Sequence, residues 1–131
     1  MQNFSFIRLS FRVAILAFGL LLIPNGARAG SATWKQVPAT GEWTSANNWT
    51  PATVPNGDTD VATFSSSNIV AITVAAAVEV SDIDFAVGAS AYSVTPLPGV
   101  SLTLSGGGIT NESTLNPYVG SQGRRADSGW F

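Results

Sequence analysis

Trp34, Trp43 and Trp49 are the residues of this chain best suited to hold a ligand. Sugar rings stack on exposed aromatic faces, and three such faces close together in sequence could grip a glycan. The competing use is structural. Each aromatic buries about 150–250 Å², a large gain for a small core. Asn56-Gly57-Asp58-Thr59-Asp60 sets oxygen atoms at alternate positions, as a calcium loop begins. Such a loop of about twelve residues needs Gly at its sixth position and Glu at its twelfth. Val61 and Ser67 stand there instead, so the run is expected to be a turn without metal. Asp82 and Asp84 are two apart and share one strand face. Paired carboxylates can cleave glycosidic bonds, but no Lys, Arg or His stands nearby to complete a site. A solvated strand face is the expected role, with no catalytic residue and no enzyme activity.

The chain has no His and no Cys. That excludes imidazole and thiolate metal sites, catalytic triads and cysteine nucleophiles from this chain alone. No cofactor is expected. Disulfides, the usual support of small exported domains, are excluded too. Stability must then come from sheet packing or from assembly. Arg124-Arg125 is far too small a basic spot for nucleic acid. Asn48-Trp49-Thr50 and Asn111-Glu112-Ser113 fit the glycosylation sequon, a pattern that chance supplies often.

The first 29 residues have the layout of a secretory signal peptide. Arg8 and Arg12 give the positive region, and an uncharged apolar run covers residues 13–23. Pro24-Asn25-Gly26 breaks that run, and Ala27-Arg28-Ala29 offers small residues for cleavage at Ala27 and Ala29. The run is well short of the roughly 20 residues a membrane span needs. Contact with a membrane is therefore expected only in transit, and the location is secreted or cell-surface. Cleavage would remove three arginines and leave Lys35, Arg124 and Arg125 against eight acids. Such a surface suits neither nucleic acid nor anionic lipid.

What remains is at most one domain, in three parts. Residues 30–59 form a Trp-rich lead-in punctuated by Pro, Asn and Gly. Residues 60–113 form a ladder of short β-strands, and residues 114–131 a polar, Gly-containing tail expected to lack regular structure. The ladder reads as strands over 61–64, 69–74, 78–85, 91–95 and 100–104, rich in β-branched and aromatic residues. Pro96-Leu97-Pro98-Gly99 and Gly106-Gly107-Gly108 are expected breaks between strands. Within 78–85 the apolar phase shifts: Val78 and Val80 share a face, then Ile83 and Phe85 do. Such a shift implies a bulge or corner near Ser81. No helical pattern of useful length follows residue 29. The fold class is all-β, with sandwich, barrel and stacked β-solenoid all compatible with even strand spacing.

Two stretches carry a family resemblance. One is Ser81-Asp82-Ile83-Asp84-Phe85 through Gly88-Ala89-Ser90-Ala91-Tyr92-Ser93-Val94. The other is Leu102-Thr103-Leu104-Ser105-Gly106-Gly107-Gly108-Ile109-Thr110-Asn111. Together they resemble the autotransporter-associated β-strand repeat. The segment Trp43…Asn48-Trp49-Thr50-Pro51…Val54-Pro55-Asn56…Asp58…Ala62-Thr63-Phe64 is similar to the lead-in that commonly precedes such repeats. The resemblance implies a bacterial, right-handed parallel β-helix passenger of an exported protein. It covers residues 34–113, with about one repeat. It does not extend to residues 116–131, which could be the end of a truncated reading frame. The role it implies is architectural or adhesive, with self-association through open strand edges and a surface polysaccharide as candidate partners. The alternative is a small secreted carbohydrate-binding β-sandwich using the three tryptophans.

Overall fold

The computed structural model describes residues 30–120. The expected leader with Ala27 and Ala29, and the Arg124-Arg125 pair, lie outside the described residues.

The described chain is all-β apart from one 3-10 turn at Ala46–Asn48. Strands β1 (Ala32–Trp34), β2 (Trp49–Thr50), β3 (Gly57–Phe64), β5 (Val78–Phe85) and β7 (Leu102–Asn111) share one sheet, in the order β2-β1-β3-β5-β7. Strands β4 (Ala71–Val74), β6 (Ser93–Pro96) and β8 (Tyr118–Val119) form the second. From β3 onward, successive strands alternate between the two sheets. Each later strand lies parallel to the one two before it, through Phe64↔Phe85, Ile83↔Ile109, Ile72↔Val94 and Val94↔Val119. The pair β1–β2 alone is antiparallel among the named strands. Three successive strand pairs thus stack where the sequence suggested about one repeat.

The alternation seen in the sequence sets which side chains face inward. Ala62, Phe64, Ile83 and Phe85 are buried from the first sheet, and Ile72, Val74 and Val94 from the second. Phe64 and Phe85 occupy matched positions on neighbouring strands and stack with ring centroids 5.3 Å apart. Tyr92 packs against both, at 4.9 and 5.9 Å.

Several expected boundaries move. The strand expected at 61–64 starts at Gly57, and the one expected at 69–74 starts at Ala71. The strand at 78–85 is as expected, and 91–95 becomes Ser93–Pro96. The largest correction is at 100–104. Strand β7 runs from Leu102 to Asn111, straight through the glycine triplet expected to break it. The tail expected over 114–131 also contributes strand β8.

The glycine triplet stays in the strand because it solves a crowding problem at Ser81. The phase shift there is a bulge, but its extra residues lie on both neighbours. On β3 the residues between Gly57 and Val61, and on β7 those between Leu104 and Gly108, stand opposite Ser81 alone. The two bulges touch, since the Ser105 hydroxyl donates to Asp58 O at 3.1 Å and lies 3.2 Å from Val80 O. A Cβ on Gly106 would collide with Ser81 Oγ and lie 3.0 Å from both Ser81 Cβ and Ser81 O, an approach that glycine alone fits without a shift, whereas at Gly107 the close atom is the movable Asp82 Oδ1. Gly106→Ala is therefore expected to lower stability by about 1–3 kcal/mol through overpacking. A shifted urea midpoint with an unchanged slope would register it, and an unchanged midpoint would refute the crowding.

Candidate functional site

The structure places all three candidate tryptophans inside the protein. Trp34 is 1% exposed, and Trp43 and Trp49 are fully buried. The expectation of glycan-stacking faces is corrected, because no indole face is open to solvent. Their packing explains this. Trp49 meets Trp34 and Trp43 edge-on, each with centroids 5.0 Å apart, and Phe64 at 5.6 Å. Each indole N–H has a backbone acceptor. Trp34 Nε1 donates to Ile69 O at 3.1 Å, Trp43 Nε1 to Pro55 O at 3.0 Å and Trp49 Nε1 to Trp43 O at 2.7 Å. Edge-to-face pairs and satisfied N–H groups are how large aromatics stabilise a dry interior.

These residues build a lid over one end of the two sheets. Strand β1 pairs in parallel with β3 and antiparallel with β2, closing the first sheet with a strand of two residues. Pro51 follows β2 and has no N–H to offer a further strand. The second sheet is closed by the loop before Trp43. Thr73 N donates to Gly41 O at 2.8 Å and Trp43 N to Thr73 O at 2.9 Å, a bridge alongside β4.

Asn48 holds that loop in place, a role that neither its sequon nor the lead-in resemblance pointed to. It is fully buried. Its Nδ2 donates to Thr40 Oγ1 at 2.9 Å and to Glu42 O at 2.7 Å, while its Oδ1 accepts from Thr40 N at 2.9 Å. The available signal was Asn immediately before a core Trp, since Asn readily bonds nearby backbone.

Two of the carboxylates, Asp60 and Asp82, accept hydrogen bonds from close sequence neighbours. Asp60 Oδ2 accepts from Asn56 N at 3.1 Å, and Asn56 Oδ1 accepts from Glu79 N at 3.0 Å. Instead of forming the expected turn, residues 57–60 belong to β3, and these side-chain bonds hold its start. No cluster of metal-ligating side chains occurs among the described residues. Asp82 Oδ2 accepts from Ser81 Oγ at 2.5 Å, and Asp84 aligns with Thr63 and Thr110 across the strands.

The opposite end of the sheets is built differently. Among the described residues, β7 and β8 are the last strands of their sheets. Beside them lies a cleft of about 340 Å³ lined by Pro96, Val100, Leu102, Leu104, Ile109 and Val119. The aromatic ladder ends there. Asn111 follows Phe64 and Phe85 in register, and its side chain bonds Leu115 O and Ser113 N instead of packing inward. The arrangement can present backbone edge and apolar surface.

No family model, no curated protein and no solved structure matches this chain. Among the described residues no helix is long and apolar enough to cross a membrane.

Two expectations follow. Asn48→Ala leaves buried backbone groups of the lid unpaired and should cost about 1–3 kcal/mol, read as a fall in the urea midpoint. The Tyr92 phenol, which donates to Ser65 O at 2.6 Å, is pushed above its ordinary pKa by burial, with the Ser67 side chain opposing. A raised folded-state pKa means this stability is intact below the unfolded value of 10.0 and is lost as pH rises through the folded one. Melting temperature should therefore hold from neutral pH up to about 10 and fall above it, and Tyr92→Phe should flatten that fall.

Proposed function

We propose that this chain is an exported, non-catalytic structural or adhesive protein, built as a short right-handed parallel β-helix that starts at a closed lid. The observation that carries the proposal is the pairing of every strand from β3 onward with the one two before it, across two sheets. Strands within each sheet of a β-sandwich pair antiparallel. Here every pair from β3 onward is parallel, which favours a coil over the sandwich alternative. The right hand is the one parallel crossovers adopt.

The resemblance to the autotransporter-associated β-strand repeat supports the same picture. The lead-in resembling the start of such proteins is the part that forms the lid. Export rests on the charged, apolar and small-residue layout of residues 1–29. The carbohydrate-binding alternative loses its residues, since Trp34, Trp43 and Trp49 are buried.

Expression of the full chain in an exporting bacterial host tests the proposal. The expected result is a product outside the cytoplasm whose mass begins at Gly30. It should show a cooperative β-type far-UV circular dichroism melt, unchanged tryptophan fluorescence on adding polysaccharides and no loss of polysaccharide chain length. An unprocessed cytoplasmic product, or depolymerisation of a polysaccharide, would overturn it.

A further inference from the structure

The open end of the sheets has a feature that an ordinary exposed edge lacks. Strand β7 is ten residues long, far longer than the two-residue β2 at the closed end. It carries no charge and no proline. Proteins usually shorten, charge or interrupt an edge strand to prevent pairing with another chain. β7 is neither short nor charged and has no proline, its one irregularity being the bulge opposite Ser81, and across residues 97–120 Glu112 is the sole charged residue.

The side-chain pattern of β7 is symmetric about the Gly106–Gly107 junction. Counting outward from that junction, Leu104 mirrors Ile109 and Thr103 mirrors Thr110, and the match ends at Leu102 and Asn111. Leu102, Leu104 and Ile109 all line the cleft. Thr103 and Thr110 align with Glu79 and Asp84, which lie on the opposite, outer side of the neighbouring strand. In a regular strand Leu104 and Ile109, five apart, would face opposite ways. The bulge opposite Ser81 brings them back to one side. When two copies of such a strand run antiparallel about a two-fold axis, inward residues meet inward residues and outward meet outward.

We infer that β7 is a dimerisation edge, pairing antiparallel with β7 of a second copy of this chain about an axis through Gly106–Gly107. The joint sheet places Leu104 of each copy beside Ile109 of the other and brings the two clefts together. The lid at the other end leaves no matching edge for head-to-tail growth. The contact is therefore isologous and closes at two copies instead of extending into a fibre. The inference deepens the proposed structural role by naming its partner, and it rests on that reading only for the open end.

Sedimentation velocity on the full chain, purified as released from an exporting host, tests it. Wild type should sediment as a dimer at micromolar concentration. Thr103→Lys with Thr110→Lys sets like charges opposite each other twice across the axis, and should weaken the dimer about tenfold or more. Within each copy those lysines stand beside Glu79 and Asp84, so the monomer fold is preserved and its circular dichroism melt verifies this. Thr103→Lys with Thr110→Glu sets opposite charges across the axis and should keep the dimer, and because the carboxylate placed at 110 stands beside Asp84 its melt is measured as well. A monomer at tens of micromolar overturns the inference, whether residues 121–131 or another protein covers the edge. So does a dimer that both double variants weaken equally or that neither affects. A correctly processed, cooperatively folding monomer would refute the dimer while leaving the proposed function standing.

Discussion

Stacked parallel strands leave an unpaired row of backbone groups at each end, and the shape of this protein follows from how it treats those two rows. At one end the row is closed twice over, once in each sheet. The first sheet ends in β1 and the two-residue β2. The second ends against residues 41–43. Both closures depend on one cluster, because Trp34 belongs to β1, Trp49 to β2 and Trp43 to the loop beside β4. The edge-on contacts of Trp49 with the other two tie the closures into a single body. An aromatic cluster suits this place. It buries a large area with few residues, and its N–H groups supply the hydrogen bonds that a loop without regular pairing needs.

Asn48 performs the complementary task. A lid made from loop must satisfy backbone groups that no strand reaches. Asn48 bonds Thr40 and Glu42 while sitting between the 3-10 turn and Trp49. The lead-in is therefore neither linker nor ligand site. It is the element that lets a short stack of parallel strands begin without an adjoining chain, in a protein with no disulfide to stiffen it.

Much of this was legible in the sequence, and the exceptions have identifiable causes. Period-two alternation located β3 through β7 and set Val78 with Val80, and Ile83 with Phe85, on common faces that are buried, because burial on one face leaves a direct trace in residue order. The shift at Ser81 was visible for the same reason. The glycine triplet misled because Gly is ambiguous without a partner strand. It ends strands at turns and continues them where another backbone approaches closely, and only the position of Ser81 distinguishes the two. The tryptophans misled because composition gives aromatic content but not orientation. The role of Asn48 went unread because two of its three partners are backbone atoms, which carry no residue signature. Strand β8 was missed because two residues hold no period.

The two ends also differ in what their sequences permit. Where the chain closes, it uses large side chains that cannot be shared with a neighbour, and a proline that blocks further pairing. Where it stays open, it uses small and aliphatic residues with almost no charge. Asn111 replaces the aromatic that Phe64 and Phe85 would extend, so the ladder stops instead of leaving a ring half-covered. Its amide instead orders the turn through Ser113 and Leu115. Without that substitution an aromatic in register with Phe85 would face the cleft and pull any chain with apolar side chains onto it. With it, this end exposes mainly backbone and aliphatic surface. The same bulge that sits over Ser81 returns Leu104 and Ile109 to one side of β7, so one local irregularity fixes both the packing of the interior and the side-chain pattern at the edge.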